Sequence, residues 1–186
     1  MLFRSGETRV ICSAEFDQYR PCVAASDSGF LAVWADLRAG PGGSKEYDLY
    51  ARRLNAAGTI CDSMPPGAEG WPIVRAPGMQ FRPKLAWNGD CFLLVWRDQA
   101  PGSPRETVKG MRLSSQGAAL APGTILISDR PVIELAQPAV AAGGGNFAVI
   151  WQDGRRMGRT GTDIYATVVD AAGRVRSQDE IGRAHV

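Results

Sequence analysis

Three aspartates in this chain each follow a tryptophan by two residues, at the end of an apolar run. They are Asp36 in Trp34-Ala35-Asp36, Asp98 in Trp96-Arg97-Asp98 and Asp153 in Trp151-Gln152-Asp153. Arg38 and Arg155 stand two residues beyond the first and the last. Carboxylates at strand ends can serve acid–base or metal chemistry. An aspartate leaving a strand can also cap the next turn with its own side chain. Recurrence in every copy favours capping and Asp–Arg pairing, because a role repeated in each unit is usually a role in the fold. Two other arginines, Arg20 in Tyr19-Arg20-Pro21 and Arg82 in Phe81-Arg82-Pro83, could converge and grip a carboxylate bidentately. Pairing with Asp36 and Asp98 is the plainer expectation for them. Arg20, Arg82, Asp36, Asp98 and Asp153 are the candidate ligand-binding residues, and no catalytic residue is assigned.

Other chemistry finds little support. His185 is the single histidine, so a Ser-His-Asp or Cys-His site has no base elsewhere in the chain. Cys12, Cys22, Cys61 and Cys91 lack C-x-x-C spacing, which argues against zinc; an even count permits disulfides, with the pairing left open. Gly143-Gly144-Gly145 falls in a hairpin rather than between a strand and a helix, so it is no phosphate loop. No cofactor is expected. A net charge of +2 with interspersed signs argues against a nucleic-acid partner. Apolar runs such as Phe92 to Trp96 are far too short to span a bilayer. The start turns polar at Arg4-Ser5-Gly6-Glu7 and reads as no signal peptide. Back-translated, Glu180 to Val186 resembles the start of a short-read sequencing adapter, so 180–186 is read as a non-native tail, and His185 lies inside it.

The elements that must hold these residues repeat. Pro21, Pro83 and Pro138 are separated by 62 and 55 residues, and Trp34, Trp96 and Trp151 keep the same two intervals. After each proline comes a short apolar strand, such as Cys22-Val23-Ala24-Ala25, then a turn such as Asn88-Gly89. A second strand follows, Phe30 to Trp34, Phe92 to Trp96 or Phe147 to Trp151. It is apolar at most positions, which predicts cover on both faces. A third strand carries Leu49-Tyr50, Val108-Lys109 or Ile164-Tyr165 and ends towards Gly58, Gly117 or Gly173. A weaker fourth strand is predicted at Trp71 to Val74 and Ile125 to Ser128, and Arg9 to Ser13 reads as the last strand of a preceding copy.

Tandem four-stranded units covered on both faces predict an all-β fold: a partial β-propeller of about three antiparallel blades. A β-sandwich would leave each strand one wet face and fits the second strands poorly. The expected divisions are 1–17, the last strand of a preceding blade; 18–79 and 80–134, two blades; and 135–179, an incomplete blade. Three blades close no ring, so further blades of the same parent chain are expected as partners.

The pattern resembles the tandem repeat of large secreted bacterial β-propeller proteins. Pro21, Trp34, Asp36, Arg38, Asp48, Tyr50 and Gly58 carry the resemblance, and Pro138, Trp151, Asp153, Arg155, Asp163, Tyr165 and Gly173 carry it again. The middle copy departs from it, with Gln99-Ala100 in place of the arginine and Thr107 and Lys109 in place of Asp and Tyr. More distantly the chain is similar to TolB-like and sialidase-like propellers; Tyr-Arg-Pro and Phe-Arg-Pro resemble a Phe-Arg-Ile-Pro segment of sialidases without its isoleucine. The resemblance implies an extracellular or periplasmic setting and a non-catalytic scaffold binding protein or carbohydrate ligands. The alternative is part of a sialidase-like hydrolase that binds an acidic sugar through Arg20 and Arg82.

Overall fold

Strand succeeds strand along the chain, and no helix interrupts them among the described residues. The computed structural model describes residues 8–38, 46–62, 68–128, 132–133, 137–156, 158 and 161–176. A first sheet joins β1 (Gln18–Ser26), β2 (Gly29–Asp36), β3 (Asp48–Leu54) and β4 (Trp71–Val74) in chain order. The second joins β5 (Met79–Trp87), β6 (Phe92–Gln99), β7 (Arg105–Leu113) and β8 (Ala119–Leu126), with β9 (Val132–Ile133) also paired to β7. The third holds β10 (Ala139–Gly143), β11 (Asn146–Asp153) and β12 (Asp163–Val169). All pairings are antiparallel, and the same hairpin and meander recur in each unit.

The second strands explain why the sheets stack. Successive side chains on a strand point to opposite faces. On β6, Phe92, Leu94 and Trp96 meet Leu31, Val33 and Ala35 of β2, while Leu93 and Val95 meet Phe147, Val149 and Trp151 of β11. Both faces of β6 are thus covered, and an apolar run is what such a strand requires. The repeated tryptophans of β6 and β11 each face the preceding sheet. β5 touches both β1 and β10, so the three sheets come together along their first strands and fan outward.

At the ends of the stack the expectation of two covered faces holds once and fails once. Trp34 faces away from the second sheet yet is buried, with its ring against Gly70. The cover is an irregular stretch: Arg52 donates to the Ile11 carbonyl at 2.5 Å, and Ser13 bonds to Glu69 through its N–H and its hydroxyl. Residues 9–13, expected as a strand, make no ladder there and act as this cover. On the third sheet the outer face is open: Ile150 is 45% exposed and Ile164 71%. β11 therefore alternates buried and exposed, in contrast to β6. Residues 1–7 and the 180–186 tail with His185 lie outside the described residues.

The turns after the third strands also fit one sheet to the next. Gly117 has φ of +81° and Gly173 of +87°. A Cβ on Gly117 would lie 2.8 Å from the Trp71 ring of the first sheet, and one on Gly173 would lie 2.9 Å from Arg112 of the second. Left-handed backbone and close approach both select glycine here.

Candidate functional site

The three Trp-x-Asp corners lie at one end of the sheets, where the second strand ends and the third begins. Asp36 is fully buried. It accepts from the Trp34 indole at 2.8 Å, from the Arg38 backbone N–H at 2.9 Å, and from Arg38 Nε and Nη2 at 2.9 and 2.6 Å. The Arg38 guanidinium lies 3.9 Å over the Tyr50 ring and donates onward to the Glu69 carbonyl. Asp153 repeats this, accepting from Trp151 at 3.2 Å and from Arg155 N and Nη2 at 2.8 and 2.5 Å, with Arg155 stacked 4.0 Å over Tyr165. Burial pushes both carboxyls up, but the hydrogen bonds from arginine and tryptophan outweigh it and hold both below the usual aspartate value. Such carboxylates are committed to the fold and are poorly placed to take up a proton or a ligand.

The middle copy shows why its sequence departs from the pattern. Asp98 accepts from Trp96 at 3.2 Å, but its cation is Lys109, 2.7 Å away. Lys109 stands opposite Trp96 in the ladder, the place that Tyr50 holds opposite Trp34 and Tyr165 opposite Trp151. One residue replaces both the missing arginine and the tyrosine it would stack on.

Arg20 and Arg82 behave differently. In β1 the ladder steps from Tyr19↔Ala35 to Cys22↔Val33, and in β5 from Phe81↔Arg97 to Lys84↔Val95. Each step leaves one extra residue, a β-bulge, at Arg20-Pro21 and at Arg82-Pro83. Both arginines have left-handed backbone, φ 54° and 55°. The expected pairing with Asp36 and Asp98 does not form, since those carboxylates are held by Arg38 and Lys109. Arg82 is partly buried; that desolvation, and then the charge of Arg20, lower its affinity for its proton. The strands that carry the two arginines, β1 and β5, are in contact across neighbouring sheets.

Around them lie aromatic and polar groups that the repeat pattern hides. Tyr19 is 47% exposed, meets Tyr47 edge-on at 5.8 Å and donates to Asp17. A shallow cleft between the first and second sheets is lined by Glu46, Gly78, Met79, Gln99 and the turn 100–103. Glu46 accepts there from the Gly78 N–H at 3.1 Å. Glu46 stands outside the repeated positions, and Tyr19, matched by Phe81 in the next copy, carries a hydroxyl that its counterpart lacks. Trp71 and Trp87, the two tryptophans outside the Trp-x-Asp corners, are packing residues: Trp71 seats Gly117 and Trp87 leans on Phe92 at 4.7 Å. The four cysteines are free thiols, and burial pushes Cys22 up to about 12. No group of three potential metal ligands occurs among the described residues.

No family profile matches the chain, and no curated protein does. Solved structures do. A thermostable family-43 glycoside hydrolase aligns with a TM-score of 0.55 and 9% identity, over 87% of this chain and 55% of its own. An exo-1,5-α-L-arabinanase from a bovine ruminal metagenomic library aligns with a TM-score of 0.53 and 10% identity, over 88% and 58%. An endo-1,4-β-xylanase from Bacteroides thetaiotaomicron aligns with a TM-score of 0.51 and 9% identity, over 90% and 56%. The chain is an arc of a β-propeller. It spans a little over half the length of these neighbours. At such identity the likeness concerns the fold, and these three neighbours are glycoside hydrolases by name. That finding overturns the expectation of a non-catalytic scaffold.

Seen on the propeller arc, the bulged arginines sit on the innermost strands, where adjacent blades converge, and the Trp-x-Asp corners brace the second and third strands. The arrangement places Arg20 and Arg82, an exposed tyrosine and a cleft at one end of the blades. The residues that the repeat makes most conspicuous, Asp36, Asp98 and Asp153, are those least able to reach a ligand.

Proposed function

We propose that this chain is part of a carbohydrate-active propeller, a glycoside hydrolase whose glycan lies across the end of the blades that carries Tyr19, Arg20 and Arg82. The observation that carries the reading is the surface at that end. Exposed Tyr19 offers a ring face with a polar tip, a combination that suits a sugar. The cleft between blades supplies Glu46, Gln99 and backbone groups alongside it. The family-43 hydrolase, arabinanase and xylanase that share the fold support the same ligand class. Hydrolysis of a glycosidic bond by a carboxylate pair is the reaction class this reading assigns to the whole protein. A polymeric glycan is an extracellular substrate, so the reading carries with it an extracellular or periplasmic location.

Titration of the chain with arabino-oligosaccharides and xylo-oligosaccharides, followed by calorimetry or NMR shifts, tests the reading. We expect binding that Tyr19→Ala weakens severalfold while the thermal transition stays in place. Absence of binding to any glycan class, neutral or acidic, would remove the basis for a carbohydrate ligand.

A further inference from the structure

We infer that the arc docks end to end on a second copy of the chain, with residues 9–13 of one copy serving as the fourth strand beside β12 of the other. The first support is that two unmet pairings match. In the first sheet β4 pairs with Leu49, Tyr50 and Ala51, and in the second β8 pairs with Lys109, Gly110 and Met111. Ile164, Tyr165 and Ala166 stand at the same place on β12, and no fourth strand lies beside them among the described residues. Arg9 precedes Pro21 by 12 residues, as Trp71 at the start of β4 precedes Pro83. Residues 9–13 thus hold the sequence position of a fourth strand, yet they join no ladder. Val10 at 73% and Ile164 at 71% are the two most exposed large apolar residues among those described. One lies on the unpaired segment and the other on the open stretch of edge.

The second support is where the segment sits. Arg52 donates to the Ile11 carbonyl and Ser13 bonds to Glu69, so residues 11–13 lie against the outer face of the first sheet. Within the chain, β4 lies against the second sheet at the corresponding place. There Trp71 and Ile73 pack with Met111, which stands next to Leu93 and Leu94 in the ladder as Arg52 stands next to Leu31 and Ala32. The segment therefore occupies the place of the outermost strand of a sheet preceding the first. Three further strands would complete that layer, and the third sheet has three. The face it would turn to the first sheet is its bare one: Ala139, Ile150 and Ala166 form one cross-strand row and Ala141 and Ala148 the next, all exposed and uncharged. On the first sheet's outer face Val23 is 59% exposed, at the position where Leu85 packs into the core between the first and second sheets. These two needs lie at opposite ends of one stack, so a single chain cannot join them and a second copy meets both. Backbone pairing would satisfy the edge, and apolar burial the face. Such a contact is heterologous: it joins the third sheet of one copy to the first sheet of the next.

The test mixes two variants of the full chain in sedimentation velocity. Ile150→Glu with Ile164→Glu disables the third-sheet end and keeps the first-sheet end. Val10→Pro does the reverse, because proline lacks the N–H that a ladder uses and Val10 lies outside the core. We expect each variant to be monomeric by itself and their equimolar mixture to form a dimer with one copy of each. A second measurement needs no substitution. In the wild-type chain, amide exchange at residues 10–12 and at 164–166 should slow together, severalfold, as concentration is raised. If Val10→Pro shifts the urea midpoint, the exchange measurement decides. A wild-type chain that stays monomeric overturns the docking. A Val10→Pro chain that still self-associates, with no dimer gained on mixing, overturns strand donation in favour of third sheets packed face to face. Slowing at 164–166 with none at 10–12 overturns it as well.

Discussion

At the scale of single residues, a charge recurring at matched positions does two different jobs, separable by its partners. Asp36 is closed off by four hydrogen bonds donated by Trp34 and Arg38, whereas Arg20 is exposed. Because the Asp36 carboxyl is held below its ordinary value, its contribution to stability has a definite pH window. The contribution is fully present above the unfolded aspartate value, near about 3.9, and is lost as pH falls through the lower folded value. Asp36→Asn should destabilise the chain by about 2–3 kcal/mol at neutral pH, because Arg38 loses its counter-charge while remaining stacked on Tyr50. It should also flatten the fall in stability below about pH 4. Urea unfolding from pH 2.5 to 7 reads both effects, and an unchanged acid limb would show that this carboxylate is not responsible for it.

At the scale of elements, the fit between blades is made by backbone as much as by side chains. Gly117 turns left-handed directly against Trp71 of the neighbouring sheet. Gly117→Ala adds both a strained φ and a methyl group 2.8 Å from that ring, so we expect a loss of about 1–3 kcal/mol. Gly58→Ala, with open space around the same turn, should lose less, leaving only the φ term. The difference between the two midpoints in urea isolates the inter-blade contact. These elements also show what could be read from sequence. The strands were legible because Phe92 to Trp96 and its counterparts carry their burial in their composition, and the proline and tryptophan intervals fix the copies in register. The bulges were not, because one inserted residue leaves the apolar pattern intact and only the ladder reveals the slip. Nor was the role of Lys109, since its exchange for Tyr looks like decay of the motif until the cross-strand register puts it opposite Trp96. The segment 9–13 has strand-like composition, yet it caps a blade face through Arg52 and Glu69, a tertiary demand that local pattern does not carry.

At the scale of the whole molecule, the two ends of the arc are unequal. The first blade's outer face is covered by residues 11–13 and the 68–70 stretch, with Trp34 buried beneath. The third blade's outer face is bare, and it presents Ile150 at 45% and Ile164 at 71% exposure. On the second blade the corresponding face, Leu93 and Val95, is covered by Phe147, Val149 and Trp151 of the next sheet. By that precedent a further sheet would fit this face, and among the described residues it is an exposed apolar surface. The chain alone should therefore self-associate through this face as concentration rises. Ile150→Glu with Ile164→Glu should hold it monomeric in sedimentation velocity at about 100 µM, with little change in its urea midpoint, because neither side chain is in the core. The same double substitution in a chain extended by further blades should instead destabilise, since both charges would then be buried in a blade interface. Opposite signs in the two contexts are what distinguish a blade interface from a surface that merely happens to be apolar; a wild-type chain that stays monomeric at that concentration, or a double variant that unfolds it, would contradict the assignment.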